Sequence, residues 1–268
     1  MKILVLGSNG MAGHVVVKYL RKQNYNVHTA ARQNADYQLD IEKFIIPDNL
    51  NTFDYVINCV GVLVKDSNDN PDRAVLVNSW FPHYLEKVLK NSNTRIIHLS
   101  TDCIFDGKKG NYVESDIHTE TNFYGRSKSL GELNNEKDVT FRMSIIGTEI
   151  RPNGVSLLNW VLNDPQTTIQ GWDNVYWNGI TTLQLAKCIE QYICDPKFTG
   201  IYHMVNNNVN IDKYSLVSLM NEVFNVGKTV IRTQGPKPVN KILVDTRQVA
   251  NYSIPDYNTQ LVQLRDFI

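Results

Sequence analysis

A glycine-rich turn beginning at the seventh residue constrains this chain more than anything that follows it. Gly7-Ser8-Asn9-Gly10-Met11-Ala12-Gly13 comes directly after the apolar run Ile3–Leu6 and opens the pattern Met11–Lys22, whose Val15, Val16, Tyr19 and Leu20 share one helical face. A strand, a glycine turn and a helix in that order are what a dinucleotide site requires. The first glycine permits the tight turn, the second lets backbone approach a pyrophosphate, and the third lets helix and strand pack closely. Unpaired N–H groups and a partial positive charge at the helix start suit an anion. The spacing is GxxGxxG rather than GxGxxG, and a plain strand–helix turn is the bland alternative. Its place at the head of an alternating α/β chain favours the dinucleotide.

That alternation runs through the first half. Ile3–Leu6, Asn26–Ala31, Tyr55–Leu63 and Arg95–Leu99 read as buried strands, Met11–Lys22 and Asn78–Lys90 as helices, and Thr140–Gly147 as a further strand. Short apolar runs with little internal alternation fit a parallel sheet covered on both faces. The fold expected is α/β, a doubly wound parallel (Rossmann) sheet with a smaller C-terminal substrate-binding lobe. The boundaries read as 1–150 plus 178–205 for the NAD(P)-binding domain, and 151–177 plus 206–268 for the lobe. Beyond 150, Pro152-Asn153-Gly154 breaks into a helix over Val155–Leu162. Thr181–Ile193 reads as a helix capped by Thr181, Ile201–Val205 as a late strand, Lys213–Phe224 as a helix, and the tail as helical from about Thr259.

Composition excludes several classes. The chain carries 27 Lys+Arg against 27 Asp+Glu over 268 residues, so no basic stripe advertises nucleic acid or an anionic membrane surface. The apolar run at the amino end is too short for a secretory h-region, and no stretch approaches a membrane span. Cys59, Cys103, Cys188 and Cys194 form no CxxC and no zinc spacing. Buried free thiols, no metal and a cytoplasmic setting are expected.

Two further patterns carry chemistry. An acid at the end of the second strand would bind the ribose of NAD, but that strand ends Thr29-Ala30-Ala31-Arg32, and a guanidinium suits a 2′-phosphate. NADPH is therefore expected, with NADH as the alternative and a solvated arginine as the plain reading. Tyr124-Gly125-Arg126-Ser127-Lys128 sets a phenol and an amine four apart, on one face if the segment is helical. Upstream, Leu99-Ser100-Thr101-Asp102 falls at a strand end, the ligand-binding edge of an open sheet. Reduction of a carbonyl leaves an alkoxide that a phenol can protonate, a nearby ammonium favours the phenolate, and the Thr101 hydroxyl can hold the carbonyl oxygen.

With these residues in place the chain resembles the extended short-chain dehydrogenase/reductases, and within them the dTDP-4-dehydrorhamnose reductase group. MKILVLGSNGMAGH, VINCVG, DSNDNPDRAVLVN up to Asn78, HLSTDCIFDG, YGRSKSLGE, FRMSIIG and NGITTLQLAK carry the likeness, mostly in the first 150 residues. The resemblance implies an NADPH-dependent reductase of a nucleotide-linked 4-keto-6-deoxyhexose, with Tyr124 as proton donor at C4 and Lys128 on the nicotinamide ribose. Thr101, Asp102 and Cys103 would meet the substrate, and Gly10, Met11, Ala12, Arg32, Asp40, Ile41, Val60 and Gly61 would line the dinucleotide. The group usually has tyrosine where Cys103 stands and tryptophan where Ile145 stands, so the sugar face differs here. Residues 140–202 contain no histidine to pair with Cys103 in an epimerisation, and Thr101-Asp102-Cys103 lacks the glutamate of the dehydratases. A relative that only regulates, the β subunit of methionine adenosyltransferase, keeps a binding protein without turnover as the alternative. His98 and His203 read as satisfied strand histidines, and Trp172, Tyr176 and Trp177 as inter-lobe packing. Lys237, Lys241 and Arg247 are candidates for the diphosphate, and a C2 homodimer is the default assembly for such a fold.

Overall fold

The computed structural model describes residues 1–150, 154–247 and 252–268. Seven strands form one parallel sheet in the spatial order Gly200–His203, Val139–Arg142, Arg95–Leu99, Tyr55–Asn58, Lys2–Leu6, Asn26–Ala31, Tyr37–Gln38. The chain order reverses between Lys2–Leu6 and Tyr55–Asn58, so a crevice opens at their carboxyl ends, where ligands of open α/β sheets bind. The first strand shows how the sequence builds two cores: Ile3 and Val5 face one side, Leu4 and Leu6 the other, and all four are fully buried. On the first side Val16 and Leu20 of helix Met11–Lys22 meet Leu185 and Ile189 of helix Thr182–Cys194. On the second, Val77, Phe81 and Leu85 pack against Val56 and Ile96. Each such aliphatic side chain removed from water contributes about 1.5–3 kcal/mol.

Several boundaries depart from expectation for identifiable reasons. The strand at 55 stops at Asn58, whose Oδ1 accepts the Val60 N–H at 3.1 Å and turns the chain. The helix expected from Asn78 starts at Pro71, a residue preset for a first helical turn. Val75–Trp80 within it is π-helical, which breaks the 3.6-residue pattern that sequence reading follows. Val139–Arg142 ends the sheet strand expected to reach Gly147, and Ile145–Ile146 pairs instead with Ile180–Thr181. Thr181 caps the next helix as expected, accepting the Gln184 N–H. Asp256 caps Tyr257–Phe267 by accepting from Thr259, so that helix begins two residues early. Helix Leu157–Asn163 replaces the expected 155–162. The break placed at Pro152 and Asn153 lies outside the described residues.

The C-terminal elements share a third apolar cluster, in which Leu158, Val161, Trp177, Leu216, Met220 and Leu261 gather beside Val15 of the first helix. Sequence reading missed the strand pair Thr168–Trp172 and Thr229–Thr233, which lie parallel at the periphery. A strap over 239–246 crosses back toward the sheet edge. Asn240 N–H donates to Gly107 O at 2.8 Å, and the Asn178 amide clamps Leu243 through both its N–H and its carbonyl. Cys188 is buried, and Cys59 and Cys103 are half-buried, but Cys194 is exposed at a helix end, against the expectation for it. Among the described residues no helix is long and apolar enough to cross a membrane.

Candidate functional site

A cleft of about 970 Å³ opens at the reversal point of the sheet. Of the residues picked out for a dinucleotide, Gly7, Asn9, Gly10, Arg32, Asp40, Ile41, Val60 and Gly61 line it. Met11, Ala12 and Gly13 do not; they form the first turn of the helix behind. That helix has no side-chain cap at Gly10 and no acidic residue in its first turn, leaving its N-terminal N–H groups uncompensated beside the cleft. Gly7 N–H donates to Ala30 O at 2.9 Å and Asn9 Nδ2 to Gln33 O at 2.7 Å, tying the turn to the second strand. The glycine turn and the open helix start fit the pyrophosphate of a dinucleotide.

At the far end of the cleft Arg32 is exposed, and Lys43 stands 3.4 Å from the buried Asp40. Arg73 also reaches this rim but is held by Glu42 and Asp66. Lys43 and Arg73 were invisible to motif reading, because neither belongs to a pattern and only the fold brings them beside Arg32.

The second half of the site lies on the same sheet edge. Phe123–Leu130 is helical, which puts Tyr124 and Lys128 on one face. Asn122 caps it by accepting the Gly125 N–H. Gly125 is required by proximity, since a Cβ there would lie 2.4 Å from Cys103 O, and this contact brings Tyr124 to the Thr101–Cys103 turn. Asn78 joins the two halves: its Oδ1 accepts from Val62 N–H at 2.8 Å and its Nδ2 donates to Ser127 Oγ at 3.1 Å.

The electrostatics differ from the simple expectation. Lys128 is buried and donates its ammonium to Leu99 O at 2.7 Å; burial pulls it down to about 8, against the pull of Glu132. Tyr124 is raised, first by burial and then by Cys103 and Asp102, while the Thr101 hydroxyl in hydrogen-bond reach partly offsets this. Lys128, expected to lower the phenol, has its amine on the Leu99 carbonyl. Tyr124 accordingly keeps its proton at neutral pH, the state a proton donor needs. Cys103 is pushed to about 12 by burial and Asp102, so it is a neutral thiol. Asp102 is 3% exposed and accepts from Thr101 Oγ1 at 3.1 Å.

Behind this turn a buried polar network fixes its position. Ser100 Oγ donates to Glu132 Oε1 at 2.6 Å, and Arg142 grips both oxygens of Glu132 at 2.7 Å. His203 belongs to the same layer: its N–H donates to Glu114 and its Nδ1 meets Val244 O, so it is a satisfied core histidine as expected. His98 departs from that expectation, because only Nδ1 has a partner (Asn58) and Nε2 has none among the described residues. Trp177 is buried and stacks on Tyr257, whereas Trp172 and Tyr176 are exposed. Of the three cations suggested for the diphosphate, Lys241 faces Cys103 and Asp102, Arg247 lies over Tyr202, and Lys237 is exposed. Lys213, which carried no sequence signal, also reaches Asp102 and Cys103.

Comparison with known proteins fits this geometry. The chain is 23% identical over 259 residues (89% of its length, 76% of the relative's) to methionine adenosyltransferase 2 subunit beta of Xenopus tropicalis. It is 32% identical over 133 residues, 48% of this chain and 45% of the other, to a dTDP-4-keto-6-deoxy-D-glucose reductase of Streptomyces niveus. Among solved structures, a dTDP-4-dehydrorhamnose reductase of Clostridium acetobutylicum superposes with a TM-score of 0.82 at 22% identity, covering 99% of each chain. One from Bacillus anthracis, in complex with NADP, superposes at 0.81 and 18% identity over 100% of each. At these identities the structural matches establish the fold. The family model described as RmlD substrate binding domain matches residues 1–242, and the chain belongs to that family.

Proposed function

We propose that this protein is an NADPH-dependent reductase of a nucleotide-linked 4-keto-6-deoxyhexose. The observation that carries the reading is the convergence of Thr101, Tyr124 and Lys128 on one sheet edge, joined through Asn78 to a dinucleotide cleft. The turn Gly7–Gly13 with the first turn of the helix would hold the pyrophosphate, Asp40 and Ile41 the adenosine end, Arg32 the 2′-phosphate, and Lys128 the nicotinamide ribose. When bound there, the nicotinamide supplies the hydride that the carbonyl carbon accepts. Thr101 Oγ1, its hydroxyl turning away from Asp102, donates to the carbonyl oxygen and keeps it against the Tyr124 phenol. As negative charge develops on that oxygen, Tyr124 releases its proton to it and the product leaves as the alcohol. The C-terminal elements 154–177 and 206–247 supply the opposite wall, a separate lobe for the nucleotide-sugar.

The similarity to methionine adenosyltransferase 2 subunit beta over 89% of the chain supports a second reading, a cofactor-binding regulatory subunit without turnover. NADPH oxidation against a panel of nucleotide-linked 4-keto-6-deoxyhexoses separates the two. Turnover with a panel member is expected, and NADPH binding without any turnover would favour the regulatory subunit.

A further inference from the structure

Two amines from the C-terminal elements reach the Thr101–Cys103 turn. Lys213 opens helix Lys213–Val223, fixed by its cap Asp212, which accepts the Ser215 N–H at 2.7 Å. Its ammonium sits 4.8 Å over the buried ring of Trp177, which steers it toward Asp102 and Cys103. Among the described residues this half-buried ammonium makes no hydrogen bond and no ion pair. Withdrawing an ammonium from water without an acceptor is unfavourable, so the site has donor capacity in excess of its own acceptors. Lys241 enters from the strap, which is pinned at Asn240 by Gly107 and at Leu243 by Asn178. Its side chain is 19% exposed, pairs with Glu120 at 3.5 Å and reaches Cys103. Cys103 is small enough to leave that space to the amine. Both lysines reach the Asp102 carboxylate, which accepts from the neighbouring Thr101 and lies within hydrogen-bond reach of the Cys103 thiol.

We propose that Lys213, Asp102 and Lys241 together grip oxygen substituents on the ring that carries the reacting carbonyl, with Lys213 as the principal donor and Asp102 accepting from a hydroxyl. A donor–acceptor–donor row matches vicinal oxygens of a polyhydroxylated ring and offers nothing to a plain ketone, so this wall selects a sugar by the oxygens beside the carbonyl. The inference rests on the reductase reading for its reaction but not for its ligand.

The test compares wild type with Lys213→Met and Lys241→Met. Turnover is measured with the nucleotide-linked keto sugar, and binding by titrating dTDP-glucose, which lacks the keto group, into protein saturated with NADP+. The expected result is a rise of at least tenfold in KM for the keto sugar and in Kd for dTDP-glucose in Lys213→Met. KM for NADPH should stay within twofold and Tm within about 2 °C, with a smaller effect in Lys241→Met, whose amine is shared with Glu120. Unchanged sugar KM and Kd in both variants would overturn the assignment while leaving the reductase reading intact. Loss of dTDP-glucose binding in Lys213→Met, in a protein that turns over no keto sugar, would uphold the assignment and remove the reductase reading. A wild-type protein that neither turns over the panel nor binds dTDP-glucose would remove both.

Discussion

Replacing Gly13 by alanine separates the packing role of the glycine turn from its ligand role. A Cβ at Gly13 would lie 2.2 Å from Gly7 O and 2.9 Å from both Gly7 C and Ser8 Cα. The turn cannot retreat freely, because Gly7 sits at φ +73° and its N–H is bonded to Ala30 O. Forcing one carbon into so tight a contact costs about 1–3 kcal/mol, which for a chain of this size lowers Tm by roughly 3–10 °C. Displacing the turn also withdraws one N–H donor from the phosphates. Each such bond to a charged group is worth about 1.5–3 kcal/mol, so NADPH binding should weaken by about tenfold to a hundredfold. Gly10→Ala is the control: its Cβ meets only Gly7 O, at 3.2 Å, and its φ of −83° suits alanine. Because Gly10 lines the cleft, that variant should keep its Tm within about 1 °C and still lose NADPH affinity. Thermal denaturation and fluorescence titration with NADPH measure both quantities. Equal losses of Tm in the two variants, or a Gly13→Ala protein with wild-type Tm and Kd, would show that the Gly7–Gly13 contact does not hold the turn.

Three further outcomes follow from the same geometry. Arg32→Ala should raise KM for NADPH by about ten- to a hundredfold, the loss of one charge-assisted contact, and leave KM for NADH within about twofold; parallel kinetics with the two cofactors check this. Glu132→Gln leaves buried Arg142 without its bidentate partner and frees Ser100, so urea denaturation should show a loss of about 3–5 kcal/mol, and a change below about 1 kcal/mol would contradict the role given to this network. Burial lowers Lys128 to about 8, so its ammonium is present below that pH and lost above it. Its hold on the ribose should therefore fade upward, and kcat/KM for NADPH in the free enzyme should fall about tenfold per pH unit above about 8; a flat profile from pH 7 to 10 would exclude Lys128 as that contact.

The legible part of this fold was the part governed by local pattern. Met11–Lys22 and Asn26–Ala31 were read to the residue, because one carries a clean helical stripe and the other a short apolar run bounded by polar residues. The glycine turn and the Tyr124/Lys128 pair were legible because their chemistry requires fixed spacing along the chain. What escaped depends on contacts distant in sequence. The π-helical Val75–Trp80 slips the periodicity, and the bend at Asn58 is made by one side chain within an apolar run. Lys43, Lys213 and the Glu132–Arg142 pair stand in no motif, and only tertiary folding sets them beside the residues they serve. The upward shift that burial gives Tyr124 is likewise not legible in the spacing. Helical spacing brings Lys128 to its face, but whether the amine acts on the phenol or on the Leu99 carbonyl is decided in three dimensions.

If Tyr124 delivers the proton in a carbonyl reduction driven from the neighbouring cleft, removing its hydroxyl must all but stop turnover and spare cofactor binding. The most direct test is NADPH oxidation by Tyr124→Phe and wild type, with the nucleotide-linked 4-keto-6-deoxyhexose that wild type prefers, alongside NADPH titration of both. The expected result is a kcat reduced by about 10²–10⁴-fold, the typical contribution of a positioned acid, with Kd for NADPH within about twofold of wild type. Undiminished turnover in the phenylalanine variant would contradict the mechanism.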